Sequence, residues 1–583
     1  MTPTSSTSTS KSAAGAPQFS FREKPARPFS ASLPEVSVES LKREYPPYLQ
    51  LAQVQLIHRH GERTPVRPRF VTKNDAVVDG SAGYPAVWQL CQLGNQFHTE
   101  MCRLLKLGDR YGAASHDDSE RPIPDANGVA TAAAATATAV ATTKAASNGN
   151  GVPAGHEGVE RLFKYAREIT LSSVDVKNVK AASIRAAIAR GPITSASCGY
   201  GQLTDVGRES LELLGERLRG LYIDGLGFMP KDAKAASAEL YLRSTDYART
   251  VESLHATLSG MYPVESASAI KSRNQAHRGM FPISIRPESS ETLYSDWGCR
   301  RWTNLYKHYM GRVSNPAIKR DPEFKEVMER LSKAPNGIGD EIATLLRENI
   351  KTGTLKLYEL MDAMVAAAAN GYKIPEGVSV DDVKKAAYFA FKEIHMPSDF
   401  GNGDSYRLQS GRALGEMAAL MAQKIAEPTV DTTVTANGSN ASVKAAKMAI
   451  YSGHDITVAA LKSGLGAEVE QWPDFASMMA IELIKDTTEV SRINSTPVLA
   501  ASTAAAKPRP QTFPKDVPSK GYYVRVREND KIMTLPTCTA AGQHHERLRK
   551  ETGETMCTLD AFLETIENIV PGDSYRAQCD RVD

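Results

Sequence analysis

The sequence predicts an α/β fold, a sheet with helices on both faces and a mostly helical cap inserted into it. Three observations predict this. Short apolar runs such as QVQLIH (53–58) and AKMAIYS (446–452) have the length and composition of buried strands. Strand-like runs alternate with helical segments, the order expected of a layered α/β domain. Residues 285–425, for example DEIATLLRENIKTGTLKLYELMDAMVAAAA, carry helical patterns with few strand signals. That stretch is therefore read as the cap.

The elements follow in order. QVQLIH is a central strand. TDVGRESLELLGERLRGLY (204–222) is an amphipathic helix: Thr204 can cap it, and Leu211, Leu214, Leu218 and Tyr222 recur at helical spacing. AELYLRS (238–244) is strand-like, and TDYARTVESLHATLSGMY (245–262) is a second helix. AKMAIYS is another central strand, followed by the helix DITVAALKSGL (455–465). FASMMAIELI (475–484) and GYYVRVR (521–527) read as two more strands. The resulting division is a disordered or targeting tail over 1–45 and the first part of the core over 46–284. The cap covers 285–425, and the second part of the core covers 426–583.

Three stretches, 127–155, 428–445 and 495–512, consist almost wholly of small residues. They lack the large apolar side chains that would offset the entropy of ordering, so they are expected as surface insertions. The sequons at Asn437, Asn440 and Asn494 fall in or beside them and are read as incidental.

Composition narrows the function. A net charge of +3 in 583 residues gives no reason to expect a nucleic-acid binder. No apolar stretch reaches the roughly 18 residues that span a bilayer. The N-terminus has no apolar signal-like region. It is rich in Ser and Thr, carries Lys11, Arg22, Lys24 and Arg27, and has no acidic residue before Glu23. This leaves a mitochondrial presequence or a plain disordered tail, hence an intracellular location, mitochondrial or cytoplasmic, with secretion as the alternative. The seven cysteines form no CxxC pair, and no metal site or organic cofactor is expected. Cys538, Cys557 and Cys579 could staple the C-terminus, or remain reduced thiols.

The chemistry concentrates in three short segments. HRHGERTP (58–65) directly follows a predicted strand, where ligands of open α/β sheets bind. Arg59 and Arg63 suit a phosphate because a guanidinium donates paired hydrogen bonds and keeps its charge. The His60 imidazole can be neutral near pH 6 and attack phosphorus. Gly61 allows a tight turn and a close backbone approach. YSGHDITVAAL (451–461) places His454 and Asp455 where a strand gives way to a helix N-terminus, which favours anions. His454 would join the phosphate cradle, and Asp455 would protonate the leaving alcohol. LRSTDYAR (242–249) puts Arg243 at a strand end as a third guanidinium.

These residues carry a resemblance. RHGERTP resembles the RHGxRxP signature of the histidine acid phosphatases, branch two of the histidine phosphatase superfamily. Five fixed positions would arise by chance in such a chain roughly twice in ten thousand. YSGHD is similar to the family's HD motif and LRST to its arginine-bearing strand, in the family's order. GQLTDVGRESLELLGERLR, WPDFASMMAIEL and the tail MCTLDAFLETIENIVPGDSYRAQC look most like the lysophosphatidic acid phosphatase (type 6) group. The resemblance implies a three-layer α/β sandwich of the phosphoglycerate-mutase kind with an inserted helical cap. It also implies His60 as nucleophile and Asp455 as acid then base. Arg59, Arg63, Arg243 and His454 would bind the substrate phosphate.

The implied partner is a small phosphomonoester, with lysophosphatidate or a related lipid monophosphate as the first reading. A phytase or broad acid phosphatase is the second. A non-catalytic phosphate-binding module is the third, disfavoured because every motif residue is present. Arg67 and Arg69 could lengthen the anion site or be merely solvated. Tyr406 and Arg407 are expected to pack the core or an interface, His98 to be structural, and His544 and His545 to bind nothing.

Overall fold

The computed structural model describes residues 22–71, 84–85, 88–93, 95, 197–263, 281–351, 355–397, 399–427, 445–495, 513–529, 531–570 and 574–581. Residues 1–21, nearly all of the three small-residue stretches, His98, Asn437 and Asn440 lie outside these.

The core is one mixed eight-stranded sheet in the order β3-β2-β4-β1-β5-β6-β7, with β8 pairing on β6. Its strands are β1 (Leu49–Arg59), β2 (Leu240–Ser244), β3 (Ile283–Ile285) and β4 (Met448–Gly453), then β5 (Met478–Asp486), β6 (Tyr522–Glu528), β7 (Lys531–Met533) and β8 (Cys557–Thr558). β3, β2, β4 and β1 run parallel; β5 to β8 pair antiparallel. β4 is buried throughout and β1 from Gln53 to Arg59, although β1 carries Gln53, Gln55 and His58 among its apolar residues.

Helices cover both faces. The helices Asp205–Leu218 and Ala248–Met261 pack Leu211, Leu214, Leu254 and Met261 against Val54, Leu56 and Ile450. On the other face, helices Gly411–Ala426, Asp455–Gly464 and Leu559–Glu567 cover Ile57, Tyr451 and Ile481. Thr204 caps the first helix, accepting from the Gly207 N–H at 3.2 Å. Gly61 is required for packing more than for a ligand: a Cβ there would overlap the Gly207 carbonyl and Leu211.

Between β3 and β4 the described residues hold no strand. Their helices, including Leu357–Ala369 and Val380–Ile394, build a separate apolar cluster around Phe324, Leu360, Met364 and Phe389. Phe70, Tyr84 and Trp88, from the chain after β1, complete that cluster. Two further helices, Asp404–Gln409 and Gly411–Ala426, meet at Ser410.

The expected tail over 1–45 is wrong for residues 22–45. Ala31 and Val36 are buried, Phe29 and Ala31 pair with the Phe475 backbone, and helix Val38–Glu44 closes over a buried network. In that network Glu482 meets Arg525 and Arg527, and Arg527 also meets Glu44. The polar composition hid these few anchoring contacts.

Six of the seven cysteines are paired, Cys91–Cys198, Cys299–Cys579 and Cys538–Cys557, and Cys102 lies outside the described residues. Of the two alternatives left open for Cys538, Cys557 and Cys579, the stapled one holds. Tyr406 is buried with its hydroxyl bonded to the Met396 carbonyl. His545 packs internally, its Nε2 3.0 Å from Asp486, and the His544 Nδ1 lies 2.9 Å from the Cys538 carbonyl. Among the described residues no helix is long and apolar enough to cross a membrane.

Candidate active site

β1 and β4 are parallel neighbours whose ends coincide, Arg59 lying opposite Gly453. His60 and His454 each sit one residue beyond their strand, and the His60 N–H bonds the Gly453 carbonyl at 3.0 Å. Two imidazoles therefore meet at the carboxyl edge of the sheet, edge to face, with ring centres 5.6 Å apart. Both are nearly inaccessible.

The tautomers follow from the partners. His60 Nδ1 is 2.9 Å from the Gly61 carbonyl, which can only accept, so Nδ1 carries the proton. Nε2 keeps its lone pair. Burial, reinforced by Arg249, Arg59 and Arg63, holds His60 well below the ordinary imidazole range, so it is neutral. His454 receives Arg249 Nη2 at its Nδ1, 3.5 Å away, and donates Nε2–H to Thr245 Oγ1 at 3.0 Å. It too is neutral, held down by burial and then Arg249.

Three guanidinium groups converge on these rings. Arg59 lies over the Phe475 ring at 3.9 Å, donates to the Pro473 carbonyl at 2.7 Å and pairs with Asp455 at 2.8 Å. Arg63 donates to the Thr64 carbonyl at 3.0 Å and pairs with Asp362 at 2.8 Å. Arg249 opens the helix Ala248–Met261 and stacks on Tyr247 at 4.6 Å. Burial, then Arg63, draws Arg249 down to about 10. Each of the three keeps a buried Nε–H with no protein partner. Other arginines share that trait, Arg69 and Arg243 among them, so the convergence is what marks these three.

Asp455 heads its helix beside His454. Burial would raise its pKa, but Arg59, a hydrogen bond with Trp472, His454 and Arg63 together hold it at about 2. Tyr247 and Tyr294 flank His454, with ring centres 4.8 and 5.0 Å away.

The structure thus brings together Arg59, His60, Arg63, His454 and Asp455, and leaves Arg243 out. Arg243 lies within β2, opposite Tyr451, two residues short of the edge where His454 sits. Its side chain is fully buried against Glu291 at 2.5 Å, Glu416 at 2.8 Å and Thr292 at 2.8 Å. The third pocket arginine is Arg249, six residues on. The sequence carried a signal for it: the first turn of a helix following a parallel strand faces the same edge as His60 and His454. Trp472, Tyr247, Tyr294 and Asp362 were also missed: Tyr247 and Trp472 lie inside quoted segments, but an aromatic residue there reads as packing, and Tyr294 and Asp362 belong to no motif.

Arg67 and Arg69 do not extend the pocket. Both pair with Glu359, at 2.7 and 3.2 Å. A cavity of about 80 Å³ opens beside Arg59, walled by Phe29, Tyr358, Met361, Val365, Trp472 and Phe475, with Asp362 and Asp474 on its border. Among the described residues no group of three or more His, Cys, Asp or Glu side chains is placed to hold a metal ion.

A probable acid phosphatase of Schizosaccharomyces pombe is 23% identical over 560 residues, covering 92% of this chain and 95% of the yeast protein. Lysophosphatidic acid phosphatase type 6 of Mus musculus is 25% identical over 394 residues, 65% of this chain and 71% of the mouse protein. A solved structure of Hafnia alvei phytase in its apo form aligns with 92% of this chain and 99% of its own, at 11% identity and a TM-score of 0.45. The sequence profile of the Histidine phosphatase superfamily (branch 2) matches residues 50–496, and the chain belongs to that family.

Proposed function

We propose that this chain is an acid phosphatase that hydrolyses phosphate monoesters through a phosphohistidine at His60. The observation that carries the reading is a neutral, buried imidazole with a free Nε2 lone pair inside a cluster of three guanidinium groups.

In the first half-reaction His60 Nε2 attacks phosphorus as the P–O bond to the leaving alcohol breaks. Arg59, Arg63 and Arg249 bind the equatorial oxygens, where charge accumulates, and His454 joins them once the incoming dianion draws a proton onto its Nδ1. The Nδ1–H bond to the Gly61 carbonyl fixes the ring and stabilises the positive charge it gains. Asp455 gives its proton to the departing oxygen. In the second half-reaction water attacks the phosphohistidine, Asp455 takes the water's proton, the P–N bond breaks, and inorganic phosphate leaves. Asp455 is a carboxylate in the empty pocket. A bound phosphoryl dianion offsets the Arg59 and Arg63 charges and lifts that depression, so the acid form arises with substrate present.

Lysophosphatidate or a related lipid monophosphate is the favoured substrate class. Trp472 hydrogen-bonds Asp455 and also walls the apolar cavity, so the cavity adjoins the side from which the alcohol departs. Phytate is disfavoured because Glu359 already occupies Arg67 and Arg69. A non-catalytic module is disfavoured by the intact His60–Asp455 pair. The three disulfides support maturation in an oxidising compartment, and so the secreted alternative over a reducing one.

The test is a phosphoenzyme trap by mass spectrometry, with His60→Ala as control. Wild-type protein should carry one acid-labile phosphoryl group on His60. Substantial turnover by a folded His60→Ala variant would overturn the assignment.

A further inference from the structure

Two of the three pocket arginines are already matched by a carboxylate in the ligand-free protein. Arg59 has Asp455, which the proposed chemistry uses. Arg63 has Asp362, which that chemistry does not use. Asp362 comes from the helix Leu357–Ala369, outside the sheet. One carboxylate oxygen meets Arg63 Nη2 at 2.8 Å, and the other accepts the Val66 N–H at 2.7 Å. The same helix grips the signature loop at two more points. Glu359, one turn earlier, pairs with Arg67 and Arg69. Asn370, at its end, donates Nδ2–H to the Arg63 carbonyl at 3.1 Å. Mechanical anchoring of the loop is therefore shared, and the charge of Asp362 is surplus to it.

We propose that Asp362 is a counter-charge that Arg63 shares with the phosphoryl group, weakening the pocket's hold on inorganic phosphate so that product leaves. Asp362 acts through Arg63 and touches no reacting atom, so it is a positioning residue. The physical reason is that a dianion between three unopposed guanidinium groups in a dry pocket is held strongly before and after the reaction. Binding that is equal in ground and transition states lowers KM without raising kcat. A fixed carboxylate 2.8 Å from one donor subtracts from every anion that enters, product included. The helix that carries it also borders the leaving-group cavity through Tyr358 and Met361, so one element sets both surroundings.

This inference rests on the pocket being a phosphate site, and the experiment separates the two. The probe is inorganic phosphate, measured as a competitive inhibitor of phosphomonoester turnover and as a ligand by calorimetry. If wild-type protein neither turns over a monoester nor binds inorganic phosphate, the phosphatase reading itself fails. If it does both, Asp362→Asn, which keeps the shape and removes the charge, should tighten phosphate roughly three- to tenfold. KM and kcat should fall together with kcat/KM held or raised. Asp362→Glu, which restores the charge, should bind phosphate as wild type does. Glu359→Gln, neutral on the same helix but paired outside the pocket, should leave phosphate affinity unchanged.

Unchanged or weaker phosphate binding by Asp362→Asn overturns the proposal, as does equal tightening by Glu359→Gln. Asp362→Ser, neutral and still able to accept the Val66 N–H, replaces the asparagine variant if that one does not fold. If neither neutral variant folds, Asp362 is a structural latch and the proposal is wrong.

Discussion

The Arg249 guanidinium reaches to 3.5 Å from His454 Nδ1, while Arg243, six residues earlier, is buried between Glu291 and Glu416. The two arginines should therefore fail in opposite ways. Arg249→Ala removes a donor aimed at the charge developing on phosphorus and should cost about 10² to 10³ in kcat/KM. Its melting temperature should change little. Arg243→Ala leaves Glu291 buried without its partner and should destabilise by about 3 kcal/mol. Per folded molecule its activity should stay within about tenfold of wild type. Kinetics and thermal denaturation on both variants check this, and the reverse pattern would restore Arg243 to the pocket.

That contrast also marks where the sequence stopped being legible. The five main strands, the carboxyl-edge location and five residues of the candidate site were readable because they depend on local signals: apolar runs, a Gly between strand and helix, and a dense motif. Arg243 misled because a motif names positions, whereas strand alternation and distance from the edge decide where a side chain points. Asp362 and Glu359 act from a helix roughly 300 residues away in sequence, a pairing no local pattern encodes. Residues 22–45 read as tail because their contacts are few and specific: Phe29 and Ala31 on Phe475, and Ser30 on Glu62.

The acid–base groups set a pH dependence with a definite sign. Burial and Arg249 hold His60 and His454 well below the ordinary imidazole value, and burial puts His58 and His395 at about 4. Below about pH 6.5 the unfolded chain takes up protons that the folded chain refuses. Ligand-free stability should then fall as pH drops, by up to about 1.4 kcal/mol per pH unit for each histidine. Asp455 adds to the same trend at lower pH: as a depressed acid its stabilisation is full above its ordinary 3.8 and is lost as pH falls toward 2. Melting temperatures between pH 7 and 5 measure the histidine part, and a flat profile would contradict it.

Activity should run the other way. Asp455 must be protonated to release a poor leaving group, and Arg59 keeps it ionised until the substrate arrives. Turnover of an alkyl phosphate should decline above about pH 6, where the phosphate itself loses its second proton. Asp455→Asn should slow alkyl phosphates far more than p-nitrophenyl phosphate, whose leaving group needs no proton. A rate that is flat or rises through pH 8, or an equal loss on both substrates, would remove Asp455 as the acid.

The disulfides make stability redox-dependent. Cys299–Cys579 closes a span of 280 residues and fixes the end of the chain to the start of helix Arg300–His308. Removing it by Cys299→Ser with Cys579→Ser should cost about 2–5 kcal/mol. Non-reducing peptide mapping should recover all three pairs. Isolation of the active protein with free thiols at these six positions would count against an oxidising compartment.

The cavity beside Arg59 turns substrate preference into a steric question. Its walls are Phe29, Tyr358, Met361, Val365, Trp472 and Phe475, and about 80 Å³ of space lets it take a short apolar part of a leaving group, not a whole acyl chain. Burying even two or three methylenes there is worth roughly 0.8 kcal/mol each, which sums to about a tenfold or greater preference. Wild-type kcat/KM should therefore favour lysophosphatidate over glycerol 3-phosphate, since the two share a phosphate and a glycerol and differ in the apolar tail. Val365→Phe should fill the cavity and erase that preference while leaving glycerol 3-phosphate turnover within about threefold, because Val365 lines the cavity and is not itself a phosphate donor. Phytate should be turned over poorly by both proteins. If Val365→Phe slowed both glycerol esters equally, the cavity would be a packing defect and substrate choice would have to be sought along the Tyr247–Tyr294 side of His454, where the rings already stand at contact distance.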